Sequence, residues 1–451
     1  MSKTEQLTQQ LKALIQSGAW LAHQKLPSLR TQAQTSQLSV ITVLNAYQNL
    51  EAQGLIYAKE KSGFYVTPQK QIPIAVQPNI NSKLFNYLQA IKQYDEVNFG
   101  SAFPDKHLLY NTTFFRLMAK NAQTISTNDD MPPGNLQLRT QIAIRYTLAG
   151  LNTHAQDLVI TSGALDALNL ALETITTKGD YIILQETIFY GAWQAAERLG
   201  LKVITVPNHP QTGINLAVFE DLLSQYPIKV CWLMVNSHNP IGFTVDNETK
   251  QKIAQLVHQY KIYLIEDDAY QELYFETLAP VPIKYFDQDD RIIHCSSFSK
   301  VLGANARIGW VNSWRFSAHV QHLQLMSRLS AHPLTQKTLA DFLATHHYEK
   351  HLQQLRKNLK KNKQAYYTFL KDQGLTLDYH PSGYFLWITL PKGLASFDLF
   401  QTLLYKKIGI APSELFTLNY TNFIRLNCSA PLTPHKEQAL QILVNHILKR
   451  F

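Results

Sequence analysis

The chain has 451 residues, three or four times the usual length of one domain, so we expect at least two folded units. Its 45% apolar and 17% charged residues are typical of a soluble globular protein, and it shows neither an apolar run of transmembrane length nor a signal-peptide pattern. The formal net charge of +9 permits a polyanionic partner, and three cysteines without C-x-x-C spacing argue against a disulfide framework or a zinc site. We therefore expect a cytoplasmic protein without a bound metal.

The first part of the chain predicts a small basic domain. Apolar residues recur at helical spacing from Leu7 onward, and Ser28 and Ser39 are candidate N-caps of a second and a third helix. Short apolar runs at 55–57 and 64–66, on either side of a polar turn, predict a β-hairpin. This order is typical of a winged helix-turn-helix, although a small α+β cap on an enzyme has the same pattern.

A stretch with several prolines and glutamines follows and predicts a short linker, after which the sequence changes at about residue 98. From there apolar runs of strand length alternate with amphipathic helices; the runs span residues 158–161, 181–184, 203–206, 230–235, 262–265, 292–295 and 308–311. Because these runs are apolar throughout, they predict strands buried on both faces of a largely parallel sheet. Shorter runs at 384–388 and 423–426 predict a small C-terminal subdomain.

Ligands bind at the carboxyl ends of the strands in such sheets, and polar motifs follow five of the predicted strands. They are Thr161-Ser162-Gly163-Ala164, Phe189-Tyr190-Gly191, Asn236-Ser237-His238-Asn239-Pro240-Ile241-Gly242, Glu266-Asp267-Asp268-Ala269-Tyr270, and Ser296-Ser297-Phe298-Ser299-Lys300 with Arg307 seven residues later. A lysine held among small hydroxyl side chains is suited to Schiff-base formation, and a nearby arginine to binding a phosphate. Taken singly, each motif has a simpler interpretation: a surface lysine, a helix N-cap, a common turn or a core aromatic residue.

Taken in this order, the motifs resemble those of the fold-type I aminotransferases, which use pyridoxal 5′-phosphate (PLP). The resemblance implies that Lys300 is the catalytic residue that bonds to the cofactor, and that Asp267 pairs with the pyridinium nitrogen. The other implied contacts are Asn239 and Tyr270 with the phenolic oxygen of the ring, Phe189 stacked on the ring, and Gly163, Ala164, Ser297 and Arg307 around the phosphate. In Asn422-Phe423-Ile424-Arg425-Leu426, Arg425 would hold the α-carboxylate of an amino substrate.

The start of the chain resembles a second family. Leu26-Pro27-Ser28-Leu29-Arg30, Ser39-Val40-Ile41-Thr42-Val43, Leu50-Glu51-Ala52-Gln53-Gly54 and Ser62-Gly63-Phe64-Tyr65-Val66 are similar to the winged helix of GntR-type regulators. The DNA contacts that we predict are Arg30, Ser39, Thr42, Asn45, Gln48, Lys59 and Lys61. The family usually has arginine where this chain has Val40, and residues 31–50 carry no charge, so we expect weak non-specific affinity for DNA.

A GntR-type head before an aminotransferase-like body is the arrangement of the MocR subfamily, whose members are dimeric regulators that bind DNA and sense PLP or an amino compound. We accordingly predict a winged helix-turn-helix domain over residues 1–68, a linker over 69–97 and an α/β fold-type I aminotransferase-like domain over 98–451. The leading hypothesis is a PLP-dependent, homodimeric transcriptional regulator that binds double-stranded DNA and senses an amino compound. Two alternatives stay open: an active aminotransferase with a vestigial head, and a body that only dimerises the heads.

Overall fold

The structure is a computed structural model that describes residues 2–16, 20, 23–59, 62–67, 82–91, 97–109, 111–124, 131–209, 213–303 and 306–448. The chain divides into two compact units, residues 1–81 and 82–451. One predicted DNA contact, Lys61, lies outside the described residues, as do residues 69–81 and 92–96 of the predicted linker.

The first unit contains three helices followed by a hairpin: α1 (Lys3–Gln16), α2 (Leu29–Ser36), α3 (Val40–Ala52), β1 (Ile56–Lys59) and β2 (Gly63–Val66). The Oγ atoms of Ser28 and Ser39 each accept a hydrogen bond at 3.1 Å, from the backbone N–H groups of Thr31 and Thr42, and so cap α2 and α3 as predicted. Apolar residues of the three helices pack with the antiparallel hairpin in one core. The predicted winged helix-turn-helix is confirmed.

Helix α4 (Ser82–Ile91) lies within the segment predicted as a linker but belongs to the second unit. Leu84, Tyr87 and Ile91 are buried among residues from the C-terminal part of the chain, and the ring of Tyr87 packs against Phe400 at a centroid distance of 5.2 Å. A packed helix therefore interrupts the predicted linker over 69–97. The reason is that tertiary burial stabilises a stretch whose local pattern is only weakly helical.

The second unit is built around a seven-stranded sheet. Its strands are β3 (Leu158–Thr161), β4 (Tyr181–Gln185), β5 (Lys202–Val206), β6 (Ile228–Leu233), β7 (Tyr263–Asp267), β8 (Ile292–Ser297) and β9 (Gly309–Asn312). Their order across the sheet is β3-β9-β8-β7-β6-β4-β5, and the neighbouring pairs are parallel except for the two that involve β9. The predicted, mainly parallel sheet is confirmed.

The described helices of this unit, besides α4, are α5 (Lys106–Leu109), α6 (Thr112–Asn121), α7 (Leu136–Leu148), α8 (Ala164–Ile175), α9 (Tyr190–Arg198), α10 (Leu216–Gln225), α11 (Asn247–Gln259), α12 (Ser299–Leu302), α13 (Ser317–Ser327), α14 (Pro333–Leu343), α15 (His347–Asp372), α16 (Ser396–Leu404) and α17 (Pro434–Leu448). Helices α8, α9 and α13 share one apolar core with the sheet, and α10 and α11 share another with the alternate strand residues. Both faces of the sheet are thus covered, which explains why its strands are apolar throughout.

The C-terminal part forms a second, antiparallel sheet in the order β10-β11-β13-β12. These strands are β10 (Thr376–Leu377), β11 (Phe385–Thr389), β12 (Ala411–Pro412) and β13 (Phe423–Asn427), and they share a core with α4, α16 and α17. Across the described ranges, none of the helices combines the length and apolar character that crossing a membrane requires.

The topology of the main sheet brings the predicted motifs to one edge. Strands β3, β4, β6, β7 and β8 run in the same direction, so the residues that follow them emerge at the same side. Strand β9 is antiparallel and therefore begins where the others end: Gly309 is paired with Thr161 of β3 and with Ser297 of β8. Asp267 ends β7 at this edge.

Candidate functional site

A cavity of about 210 Å³ lies at this edge of the main sheet. It is lined by eight of the predicted site residues: Ala164, Phe189, Asn239, Asp267, Tyr270, Ser297, Lys300 and Arg307. The other two are adjacent, since Gly163 directly precedes Ala164 and Arg425 donates a hydrogen bond to Asn239. The structure therefore brings together the side chains that sequence motifs single out from six separate segments.

Lys300 presents its amine to this cavity from the start of α12. Its Nζ donates a hydrogen bond of 2.8 Å to the Ala102 carbonyl and lies 4.1 Å from the centroid of the Phe103 ring and 5.3 Å from that of Tyr270. Burial lowers the pKa of Lys300 to about 7, helped by the positive charge of Arg425 and opposed by the carboxylate of Asp267. A large fraction of this amine is consequently neutral, and so nucleophilic, at neutral pH.

Asp267 is a buried carboxyl group at the end of β7. The backbone N–H of Ala269 donates to its Oδ1 at 3.3 Å. Burial raises the pKa of Asp267 to about 7, an effect that the Ala269 hydrogen bond and the charge of Lys300 reduce and the neighbouring Asp268 increases. A buried carboxylate of this kind is stabilised by any cationic group that faces it.

One part of the cavity wall has the character of an anion site. Gly163, with φ of 103°, precedes α8, whose first backbone N–H groups have no carbonyl partner within the helix, and the exposed guanidinium of Arg307 lies beside it. A Cβ atom at Gly163 would lie 3.2 Å from Cζ of Arg307, and one at Gly309 would lie 2.8 Å from the backbone nitrogen of Ala164. Glycine at 163 therefore lets the Arg307 guanidinium lie close to the turn, and glycine at 309 lets β9 lie against the same turn.

Arg425 is a buried arginine in β13, with 2% of its surface exposed. Its Nη1 donates to Oδ1 of Asn239 at 2.8 Å, and its Nη2 donates to the carbonyls of Gly100 at 2.6 Å and Ser101 at 3.2 Å. Its Nε has no hydrogen-bond partner among the described residues. Asn239 in turn donates from Nδ2 to the Tyr270 hydroxyl at 3.3 Å, so Arg425 is connected to the cavity wall.

Tyr190, which belongs to the Phe189 motif, also lines the cavity. One group at this site lies outside the sequence motifs: the backbone carbonyls of residues 100–102, which accept hydrogen bonds from Arg425 and Lys300. These contacts join segments that are up to 325 residues apart, so the sequence carries no local signal for them.

A chain of buried hydrogen bonds begins at Asp268, the residue after Asp267, and was not predicted from the sequence motifs. Nε2 of His294 is 3.0 Å from Oδ2 of Asp268, its Nδ1 is 2.6 Å from the Tyr146 hydroxyl, and Trp310 donates to that hydroxyl at 2.8 Å. The signal that could have revealed it is a histidine inside the apolar run of β8, because a polar residue at a fully buried position requires partners.

The predicted DNA contacts lie on the first unit with different exposure. Arg30, Ser39, Asn45, Gln48 and Lys59 are exposed and Thr42 is half-buried; the Ser39 and Thr42 hydroxyls lie 2.8 Å apart within the cap of α3. The Nζ atoms of Lys59 and Lys25 each lie 6.0 Å from the centroid of the Tyr65 ring in the hairpin. The exposed side chains are thus basic on α2 and β1 and amides on α3, and their contact with DNA stays a prediction.

Comparison with known proteins agrees with this division into two units. Residues 3–66 match the family of bacterial regulatory proteins, gntR family, and residues 112–447 match the family aminotransferase class I and II. Two proteins of Escherichia coli (strain K12) are similar over their full length. The uncharacterized HTH-type transcriptional regulator YdcR is 42% identical over 100% of both chains, and the uncharacterized HTH-type transcriptional regulator YjiR is 30% identical over 98% of each.

Solved structures with a similar fold are aminotransferases. Kynurenine aminotransferase of Pyrococcus horikoshii has a TM-score of 0.76 at 21% identity and covers 83% of this chain and 96% of its own. The multiple substrate aminotransferase of Thermococcus profundus has a TM-score of 0.74 at 20% identity over 83% and 97% of the two chains. At such identities the likeness concerns the fold. The family matches and the full-length relatives together show that the chain belongs to the HTH-type transcriptional regulators in which a GntR-type head precedes an aminotransferase class I and II domain, the arrangement of the MocR subfamily.

Proposed function

We propose that this chain is a homodimeric, DNA-binding transcriptional regulator whose second unit binds PLP and senses an amino compound that carries a carboxylate. The observation that carries the proposal is the convergence of Lys300, Asp267 and Arg307 on one cavity, with Arg425 attached to its wall through Asn239. The full-length relatives are named as transcriptional regulators, which supports the role in transcription.

The residues around the cavity fit PLP. Lys300 offers a partly neutral amine for covalent attachment, and Asp267 offers the carboxylate that a protonated pyridine nitrogen requires. Arg307, Ser297 and the N-terminus of α8 would hold the phosphate, with Gly163 allowing the Arg307 guanidinium to lie close to that N-terminus. Asn239 and Tyr270 would hold the phenolic oxygen, and Phe189 would pack on the ring.

When bound, PLP would supply an aldehyde group that can exchange one amine for another and a ring that withdraws electrons from the attached amine. The side chains of this protein orient it and control protons around it. Lys300, with a pKa of about 7, can take up or release a proton at Nζ near neutral pH. The neutral amine can bond to PLP, and the protonated amine can donate a proton. The same side chain could therefore take part in both the attachment and the release of an amino ligand.

The carboxylate of the ligand would be bound by Arg425. This guanidinium is buried, is fixed by Asn239 and faces the carbonyls of Gly100 and Ser101. A carboxylate forms stronger, charge-assisted hydrogen bonds with arginine than a peptide carbonyl does. We therefore expect a bound carboxylate to compete with these two carbonyls for Arg425.

That competition would connect the ligand to the DNA-binding head. The Gly100 carbonyl also accepts a hydrogen bond of 3.0 Å from the Tyr87 hydroxyl of α4, the first helix of the second unit, and along the chain α4 follows the head. If residues 100–101 can adopt two arrangements, a ligand that binds one of them more tightly increases the population of that arrangement. Two heads held by a homodimer would then change their fit to a palindromic DNA site.

The experiment uses the purified full-length protein. We expect it to be yellow, to retain PLP covalently on one lysine after borohydride reduction, and to enrich a specific duplex from a pool of random DNA. The same selection is repeated with a mixture of amino acids, and we expect the amount of duplex bound to change.

Two results would contradict the proposal, one its claim of DNA binding and the other its claim of PLP binding. A protein that carries PLP and transaminates amino acids, but enriches no duplex, would favour an enzyme with a vestigial head. A protein that binds a duplex but takes up no PLP would favour a second unit that only dimerises the heads.

A further inference from the structure

The exposed face of α3 has an unusual composition for a surface helix. The large apolar side chains that are exposed in the described part of the head are Leu14, Val40 and Ile41, and the last two are adjacent in the first turn of α3. Ile41 exposes 71% of its surface and Val40 exposes 44%. Leaving two branched apolar side chains in water forgoes the stabilisation that burial would provide.

The buried face of the same helix is complete without them. Val43, Ala46, Tyr47 and Leu50 have exposures of 0% and supply the contribution of α3 to the core of the head. Their spacing is that of one helical face; Ile41 lies on the opposite face of the helix, and Val40 lies at the edge of the buried one. Ser39 caps the helix directly before them, which fixes the first turn.

Ile41 lies on the same exposed face as two amides. Residues 41, 45 and 48 have the spacing i, i+4, i+7, and Asn45 and Gln48 are exposed. The side chains from residue 31 to residue 50 are uncharged, so this face has no cation for a guanine base or a phosphate. It combines amide groups with aliphatic groups.

In the major groove, amides pair with adenine and aliphatic groups contact the C5-methyl group of thymine. We propose that Val40 and Ile41 read thymine methyl groups, so that the head selects A·T base pairs at the centre of each half-site. This inference rests on the proposed binding of duplex DNA by the head. It assigns the source of base specificity to apolar contact, while Arg30 and the lysines around the hairpin supply attraction to the backbone.

The test replaces thymine methyl groups one at a time. Full-length protein first selects a duplex from random DNA, and its affinity is then measured for that duplex with each thymidine replaced singly by deoxyuridine, which differs only by the methyl group. We expect one or two positions in each half-site to lose about fourfold in affinity, the effect of burying one methyl group. At those positions Ile41→Ser or Val40→Ser should bind the thymidine and deoxyuridine duplexes equally.

Two further variants make the test specific. Leu14→Ser removes an exposed apolar side chain of the head outside α3 and should leave the effect of deoxyuridine unchanged. Val40→Arg introduces the side chain that pairs with guanine, so a repeated selection should exchange one A·T pair for G·C.

The outcomes separate this inference from the proposal on which it rests. A selected duplex that is insensitive to deoxyuridine at every position, or a consensus without A·T pairs in its half-sites, would overturn the reading of thymine while leaving DNA binding intact. If the folded protein selected no duplex at all, DNA binding itself would be wrong, and this inference with it.

Discussion

The aminotransferase-like unit and the head place their functional side chains in opposite surroundings. Asp267 and Arg425 are buried charges held by strands of two sheets, whereas the exposed face of α3 from Ile41 to Gln48 carries amides and aliphatic groups and no charge. Interactions between buried charges are strong because little water screens them, while each surface contact contributes little and specificity comes from their sum. Single substitutions should therefore remove whole functions in the second unit and only adjust affinity in the head.

The largest effect is expected at Lys300. Lys300→Ala should eliminate covalent retention of PLP, because it removes the amine that we propose as the attachment point. The measurement is mass-spectrometric mapping of the protein after borohydride reduction.

Lys363 is an internal control, because burial lowers the pKa of its amine to about 7 as well. Its Nζ donates hydrogen bonds to the carbonyls of His380 and Ser382, and the residue does not line the cavity. Attachment to Lys363 in the wild-type protein would refute the assignment of Lys300.

A smaller but still large effect is expected at Arg425. Arg425→Lys should weaken binding of amino acids by about tenfold to a hundredfold, because a point charge does not replace a bidentate guanidinium. Binding of the corresponding decarboxylated amines should change little. Titration against the visible absorbance of the PLP-loaded protein measures both. Arg356→Lys is the matched control, since Arg356 pairs with Glu272 outside this cavity. Equal losses for amino acids and amines would show that Arg425 does not bind the carboxylate.

The rate at which PLP attaches to the protein should depend on pH through Lys300. The pKa of this amine is about 7, so it is protonated below that pH and neutral above it, and attachment should speed up about tenfold between pH 6 and pH 8. Asp267→Asn should move the midpoint to lower pH, because the carboxylate of Asp267 raises the pKa of Lys300. Asp246→Asn, at the N-cap of α11, should leave the midpoint in place. A rate that is constant across this range would contradict a role for the neutral amine.

The smallest effects are expected in the head. Arg30→Ala should weaken binding to all sequences alike and reduce the slope of log affinity against log salt concentration by about 0.9, the contribution of one phosphate. Asn45→Ala should instead change the preference among sequences. Lys252→Ala, an exposed lysine of the second unit, serves as the control for general charge. If Arg30→Ala altered sequence preference and left the salt slope unchanged, the division into backbone and base contacts would be wrong.

Features that depend on local pattern were predictable from sequence. Ser28 and Ser39 cap helices because a short hydroxyl side chain before an apolar repeat satisfies the first backbone N–H groups. The apolar runs form strands because helices cover both faces of the sheet. The cavity residues were found because each follows a strand of known direction, so predicting the strand also placed the residue.

Features that depend on distant partners were not predictable in this way. Helix α4 is held by Phe400 and other residues from the end of the chain, and its own sequence gives a weak signal. The run that forms β9 looks like its neighbours, and its antiparallel direction is visible only in the pairing with β3 and β8. The carbonyls of Gly100 and Ser101 are invisible to any motif because every residue has one.

The central claim is that ligand binding in the second unit and DNA binding by the head are coupled, and reciprocity tests it most directly. If an amino acid changes the affinity for the selected duplex by some factor, the duplex must change the affinity for the amino acid by the same factor. The measurement is titration of the amino acid against the PLP-loaded full-length protein, with the selected duplex and with a shuffled one. The account predicts a different ligand affinity with the selected duplex and no difference in Arg425→Lys. Identical ligand affinities with both duplexes in the wild-type protein would contradict it.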